Sequence, residues 1–500
     1  MEELFKKPQY YRNLILKNIK KDLVKEEFKG KGIACIFLTR FCPVSCDFCF
    51  FKSLPQNSTK TEKDAFNQIG MNNLITFINK ANLAYLLVSG GGDPFTEFDN
   101  ILRLINEANV DKIVLVTSGF WATSKQKTLT YLNKIYKNMK DKEVVLRLSY
   151  DEYHTKKLSS KTIYNILETF ENHFCSSNNF KFRVHTMIDD PAINDFLNQF
   201  SERIKYRELV NLNTDSEIVL KINPYDYKIK LKSGFSFEIG FANKFYPDGK
   251  IDMGNIDIVN RNLEVFDRDL RNSQNYNSSV ALNNDGSKGL DFWINYNGNI
   301  CTWGNQVPDN IQNIYFDSYE EIIHRNFSDP IMASYLKNGS LYRYNILNEV
   351  ATSTVLKSKL INIRDYVGAI LFEEDKIRLY YTIRALQDFY KDKILYEKEL
   401  LHLPKNLQNA IKQDKQYLID LYNSSDYTII DQFLSKRHSK EDAIKLLELI
   451  KLKHYEVDDT KINNFIKKIN KMYDLNIKNI KQISTINIDP YDERLIPSKN

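Results

Sequence analysis

The chain has 500 residues, 42% hydrophobic and 27% charged, the profile of a soluble globular protein of two or three domains. Its 70 basic and 64 acidic residues leave a net charge of +6, too even for the clustered basic footprint of a nucleic-acid binder. No window approaches the ~18 apolar residues of a membrane span, and the N-terminus, MEELFKKPQYYRNLILKNIKKDLVKEEF, reads as a short charged helix rather than a signal peptide. Neither nucleic acid nor membrane is expected as a partner. A cytoplasmic location is expected, where thiols stay reduced and clustered cysteines point to metal before disulfide.

From residue 33 apolar runs alternate with helical stretches. GIACIFL precedes a helix near 60–80, and AYLLVSGGG precedes TEFDNILRLINEA, in which Phe98, Ile101, Leu102 and Ile105 have helical spacing. KIVLVTSG, EVVLRLSYDEYH and FKFRVHTMI follow, each with a helix behind it (near 123–138, 159–173 and 191–204), and EIVLKINPY is a sixth run. Strands alternating with helices indicate parallel βα units. Six of them predict an α/β fold, a partial (β/α)6 TIM-like barrel with its chemistry at the C-terminal ends of the strands.

After Pro224 the texture changes. KIKLKSGFSFEIGF and DFWINYNGNICTW alternate as β-hairpins do, the second turning at Asn297-Gly298. From about residue 330 the pattern is helical. Residues 341–500 hold one glycine, Gly368, and three prolines. Ile383, Leu386, Tyr390, Ile394 and Leu401 keep helical steps, as do Ile462, Ile466, Ile469 and Tyr473, and Ser439 reads as an N-cap before KEDAIKLLELI. The expected organisation is an N-terminal helix (1–28), the barrel (29–225), a small β-rich module (226–328) and a helical C-terminal domain (329–500).

Three of the six cysteines, Cys42, Cys46 and Cys49, crowd the loop after the first strand with the spacing C-x3-C-x2-C, while Cys35, Cys175 and Cys301 are scattered. A structural zinc site ordinarily uses two separated C-x2-C pairs, and there is no second pair. An iron–sulfur cluster fits better, and because cubane clusters normally use four cysteines, three would leave one iron open for catalysis.

C-x3-C-x-aromatic-C at this place, with Phe48 as the aromatic residue, resembles the radical S-adenosylmethionine enzymes. The resemblance implies one [4Fe–4S] cluster on Cys42, Cys46 and Cys49, with S-adenosylmethionine chelating the open iron. Reductive cleavage would give a 5′-deoxyadenosyl radical that abstracts hydrogen from a substrate, with a flavodoxin- or ferredoxin-type protein as electron donor. SGGGDPF at the second strand's end is similar to the family's Gly-Gly-Glu-Pro, which binds the methionyl amine. It carries that role to Gly91, Gly92 and Asp93, with Pro94 following and Asp in place of Glu. TSG at 117–119 stands where the family often has Thr-Asn-Gly, which brings in Ser118. Ser149 and Asp151 end the fourth strand, where the family contacts ribose or carboxylate, and Arg183 or His185 on the fifth could meet the cofactor carboxylate. His154, beside Tyr153 and Asp151, is a candidate general base tuned by its acidic neighbour.

INYNGNICTWGNQVPDNIQNIYFDSYEEII resembles the SPASM or twitch half-domain of the same superfamily, through Gly298, Cys301, Asn313-Ile314 and Ser318-Tyr319-Glu320-Glu321-Ile322. Full modules hold auxiliary clusters on many cysteines, whereas only Cys301 lies beyond residue 175 here, so a single cluster is expected. Members with this module often modify ribosomally made peptides, which makes a peptide or protein side chain the expected substrate. Members that invert peptide stereocentres use a lone cysteine as hydrogen-atom donor, a role the resemblance offers to Cys301. The alternatives are the same chemistry on a nucleotide, sugar or other small metabolite, and a non-enzymatic iron–sulfur or zinc protein, which leaves GGGDP unexplained.

Overall fold

The computed structural model describes residues 4–24, 28–46, 49, 53–55, 58–59, 64–187, 190–210, 226–242, 244–245, 251–252, 280–283, 285–302, 312–352, 371 and 374–484. After helix α1 (Pro8–Asn18), strands β1 (Gly32–Ile36), β2 (Leu83–Val88), β3 (Lys112–Thr117), β4 (Glu143–Ser149) and β5 (Phe180–Met187) lie side by side, all parallel. Between and after them run α2 (Gln68–Lys80), α3 (Phe98–Glu107), α4 (Lys125–Asn138), the short α5 (Glu152–Thr155), α6 (Lys161–Thr169) and α7 (Pro191–Gln199). Caps expected of their sequences begin several helices: Asn67, Ser124 and Asp190 each accept a backbone N–H one turn in or less.

The parallel block is thus the βα alternation read from the sequence, with one difference at its sixth place. EIVLKINPY lies outside the described residues. The strand that joins β5 in parallel is β8 (Ser236–Ala242), reached through the antiparallel pair β6 (Ile204–Leu209) and β7 (Tyr227–Leu231). The first expected hairpin, KIKLKSGFSFEIGF, is therefore β7–β8, and it extends the barrel sheet. Two small ladders follow, β9 (Lys244–Phe245) with β10 (Ile251–Asp252) and β11 (Val280–Leu282) with β12 (Lys288–Leu290). The second hairpin, β13 (Phe292–Ile294) and β14 (Ile300–Thr302), turns at Asn297-Gly298, where Gly298 has φ +83°, and docks parallel to β1 on the other edge. One ten-stranded sheet results, in the order β14-β13-β1-β2-β3-β4-β5-β8-β7-β6.

Period-two alternation gives the sheet two faces. Ala34, Ile36, Leu86, Val88, Ile113, Leu115, Val144, Leu146, Leu148, Phe182, Val184 and Ile239 pack with the helices in the main core. The intervening Ile33, Cys35, Phe37, Tyr85, Leu87, Val114 and Val145 form a separate cluster on the concave face, with Val116, Trp293 and Tyr296 against it.

The helical region continues the main core. A Ser318–Glu321 capping box opens the helix Tyr319–Ser328, followed by Pro330–Asn348, broken by a kink at Gly339, and the largely buried Asp375–Lys391. Arg12 of α1 pairs with Asp329 at 2.7 Å and donates to Thr382 at 3.1 Å, which ties the N-terminal helix to two C-terminal ones. Residues from Ile430 to Ile483 form a second, independent core. The helical step expected through Leu401 ends earlier, since Asp375–Lys391 stops before Lys393, whose φ is +57°.

Candidate active site at the C-terminal ends of the strands

The cysteine loop leaves β1 and is pinned where it starts and where it returns. Cys42 N donates to Leu54 O and Leu54 N donates to Arg40 O, both at 2.8 Å. Within it Ser45 takes a left-handed φ of 43°, and its Oγ donates to Cys42 O at 3.0 Å. The glycine turn after β2 lies directly on this loop. A Cβ on Gly92 would come within 2.0 Å of Phe41 O, and Gly91, at φ +69°, leaves no room beside Thr39 O and Tyr296. Asp93 N donates to Phe41 O at 2.8 Å. Ser53 closes the join, its hydroxyl 3.0 Å from Cys49 Sγ and 2.5 Å from Gly91 O. The glycines serve close backbone approach, here of one loop to another.

Cys42, Cys46 and Cys49 are all half-buried. Burial pushes the Cys42 thiol up to about 12, reinforced by Asp93, while N–H groups of Ser45 and Val44 aim at its sulfur and pull the other way. Such a sulfur is a poor free thiolate. Metal binding would replace its proton, and the N–H donors suit a metal-bound sulfur. Among the described residues no three His, Cys, Asp or Glu side chains stand where they could hold a single ion. A cubane distributes its cysteines over different irons, a donor set that three thiols on one loop can supply.

Asp93 occupies the place of the family's Glu, but its carboxylate is taken up by protein. It accepts from Ser118 Oγ (2.6 Å), Ser118 N (2.8 Å), Thr117 Oγ1 (3.0 Å) and Phe95 N (3.0 Å). Burial raises its pKa, opposed by these donors. One methylene shorter than Glu, it spans from the end of β2 to the end of β3 and caps the turn Pro94–Glu97. The Ser118 hydroxyl is committed to it.

Asp151 caps α5 through Tyr153 N and His154 N, both at 3.0 Å, and His154 Nδ1 lies 2.7 Å from Asp151 Oδ2. Burial pulls His154 down, yet Asp151 and the adjoining Cys46 outweigh it and hold its pKa at about 10. His154 thus sits between the Asp151 carboxylate and the Cys46 sulfur, both of which favour its protonated form. Just after α5, Lys157 Nζ donates to Ser45 O at 2.8 Å, a second hold on the cysteine loop.

Ser149 ends β4 opposite His185 on β5. Arg183 donates through Nε (3.0 Å) and Nη2 (2.7 Å) to Glu238 on β8, so its fork already holds a carboxylate. Burial and the charges of Arg147 and Arg183 push His185 down to about 3, which keeps it neutral. Phe48 lies outside the described residues. Cys301 is paired with Trp293, which is paired with Cys35, so all three share one rung and one face, the concave one.

Sequence reasoning missed Ser53, Lys157, Tyr296 and Arg147. The first three act through loop contacts that no pattern announces. Arg147 had a signal, a lone charge in the apolar strand EVVLRLS at a position alternating with Val145 and Ser149.

Residues 28–171 match the family described as a 4Fe-4S single cluster domain. The chain is 32% identical over 130 residues to the putative peptide biosynthesis protein YydG of Bacillus subtilis (strain 168), covering 25% of this chain and 38% of that protein. It thus spans well under half of that curated relative. Among solved structures, native anSMEcpe with bound AdoMet aligns at a TM-score of 0.36 with 12% identity, over 76% of this chain and all of that one. A histidine-tagged form of the same protein with AdoMet gives 0.36 and 11%, over 76% and 98%. The cysteine loop and the glycine turn both lie inside this matched 4Fe-4S single cluster domain.

Proposed function

We propose that this protein is a radical S-adenosylmethionine enzyme that modifies a side chain of a peptide or protein. The observation that carries the reading is the lock between cysteine loop and glycine turn, at the C-terminal edge of parallel strands where such folds do their chemistry. The peptide as substrate is supported by the name of the B. subtilis relative.

In this reading Cys42, Cys46 and Cys49 hold one [4Fe–4S] cluster. When bound, the cluster and S-adenosylmethionine supply electron transfer and the abstracting radical. The chain's own residues hold and shield them. Gly91 and Gly92 bring backbone up to the methionyl end. Asp93 and Ser118 act one step back, fixing the ends of β2 and β3 relative to each other, while Ser149 offers the cofactor a hydroxyl from β4. Asp151, His154 and Lys157 position the loop that carries Cys46. With Arg183 held by Glu238, the cofactor carboxylate falls to Ser149 and backbone donors. Cys301, on the concave face, would give the hydrogen atom of its S–H bond to the substrate radical, leaving a thiyl radical that one electron from the external donor protein and one proton from solvent return to the thiol.

The test is anaerobic reconstitution. The protein should bind iron for one cubane cluster and, with dithionite, release 5′-deoxyadenosine and methionine from S-adenosylmethionine. Cys42→Ala/Cys46→Ala/Cys49→Ala should lose both. Iron near twice the single-cluster amount, or colour that survives the triple change, would sink the one-cluster assignment. Mass spectrometry of a candidate peptide co-expressed with the enzyme separates a peptide substrate from a small metabolite.

A further inference from the structure

The concave face is chemically divided. On β13, β1, β2 and β3 it presents Trp293, Cys35, Phe37, Leu87, Val114 and Val116. On β4, β5 and β8 it is ionic, because Val145 faces in and Arg147 and Ser149 alternate with it, and the register places Arg147 beside Arg183 and Arg183 beside Glu238.

The ionic half is unequally compensated. At the N-terminal floor Glu143 sits between two lysines, with Lys112 Nζ at 3.3 Å and Lys181 Nζ also bonded to it. One rung below the strand tops, Glu238 Oε2 accepts from both Nε and Nη2 of Arg183. Arg147 receives nothing comparable. Its Nε is buried without a hydrogen-bond partner, and no ion pair to it exists among the described residues. His185 is held neutral and supplies no negative charge. A guanidinium beside a second guanidinium, with a buried donor unmet, is a costly arrangement for a protein to keep. It becomes favourable when a forked anion completes it.

We propose that Arg147 binds a carboxylate of the substrate inside the barrel, with the apolar half of the same wall receiving the neighbouring side chains. This assignment rests on the peptide reading above and narrows it to a peptide that presents an acidic residue or its own C-terminus to the barrel. Ser149, one step nearer the strand tops, separates Arg147 from the cofactor's end, so the carboxylate concerned is the substrate's and not that of S-adenosylmethionine.

The test uses the full reconstituted protein and two probes, N-acetyl-glutamate amide and N-acetyl-glutamine amide, with binding followed by ligand-observed NMR. The acidic probe should bind and the amide probe should bind at least about tenfold more weakly. Arg147→Gln should erase that preference and Arg147→Lys should restore part of it, with S-adenosylmethionine affinity unchanged in both. Equal binding of the two probes to the unaltered protein overturns the proposal without any variant. So does a fall in S-adenosylmethionine affinity in Arg147→Gln as large as the fall for the probe, since Arg147 would then hold the cofactor. Selective acid binding by a protein that releases no 5′-deoxyadenosine would leave the anion site standing and remove the radical reading instead.

Discussion

The two halves of the concave wall solve the problem of an interior surface differently. On the β13–β1–β2–β3 side the wall is closed by packing. Phe37 meets Trp293 edge to face at 4.6 Å between centroids, and the loops above are joined by backbone contacts that leave no room for a methyl group. On the β4–β5–β8 side it is held by charge, and among the described residues Arg147 has no carboxylate of its own. The packed half has one workable arrangement, while the ionic half has an unfilled valence. A rigid cofactor needs the first kind of support and a substrate that comes and goes suits the second.

The largest effect that can break this comparison is steric. Gly92→Ala puts a Cβ 2.0 Å from Phe41 O, a backbone atom that cannot swing aside. The turn or the cysteine loop must move. The expected result is a folded protein that takes up little or no iron under reconstitution. Full iron incorporation in Gly92→Ala would show that the two loops are not locked. Asp93→Ala comes next. It strands Ser118 N and Phe95 N and removes the tie between the ends of β2 and β3. Unmet buried donors cost about 1–3 kcal/mol each, so chemical denaturation should show a loss of that order. S-adenosylmethionine affinity should fall with it, and the Asp93→Asn variant should keep part of both. A fall in affinity with unchanged stability would make Asp93 a direct contact of the cofactor instead.

The halves also carry opposite pH signatures. Asp291, just before β13, accepts Ile33 N at 2.8 Å, and burial raises its pKa to about 7 against that single donor. Between the ordinary carboxyl value and about 7 the folded protein keeps a proton that the unfolded chain has released, so Asp291 makes stability fall as pH rises through that window. His185 works the other way. Held near 3, it refuses a proton that the unfolded chain binds below its ordinary pKa of about 6.5, so its contribution is lost as pH falls. Denaturation midpoints measured from pH 4 to 8 should lose downward slope in Asp291→Asn and lose upward slope in His185→Asn. Slopes that change in the same direction in both variants would contradict the assignment.

Much of this was legible in the sequence, for reasons particular residues make plain. The parallel units were readable because Val144, Leu146 and Leu148 alternate against buried helices. The loop chemistry was readable because three thiols stand within eight positions. The sixth strand was not. EIVLKINPY and SFEIGFA are both apolar runs of strand length, and the place beside β5 is decided by tertiary pairing of the β7–β8 hairpin, which no local propensity encodes. Helical spacing at Ile394 and Leu401 persisted past the real helix end because three- and four-residue steps do not register the left-handed Lys393. The partners of Asp93 and Arg183 were out of reach for a related reason, whereas Asp151 was legible beside His154. A side chain's type tells what it can bind before it tells what is already bound to it.

The smallest structural effect is expected at Cys301, on the edge strand beside the packed half. It shares a rung with Trp293 and Cys35, is half-buried, and its Sγ lies 3.9 Å from Trp293 O, a weak contact. Replacing it with alanine removes one polarisable atom from a strand at the sheet edge, so stability should change by about 1 kcal/mol or less. Iron content and 5′-deoxyadenosine release should be unchanged as well, since the residue belongs to neither the cysteine loop nor the glycine turn. What should change is the product. A thiol S–H bond is weak enough to surrender its hydrogen atom, and a thiol exchanges its proton with solvent. With a modified peptide in hand, the unaltered enzyme in deuterated water should leave one solvent deuterium on the altered carbon. Cys301→Ala should still remove hydrogen from that carbon yet fail to return one. If Cys301→Ala gives the normal product at the normal rate, the thiol is packing, and the quenching hydrogen must come from elsewhere on the concave wall or from solvent.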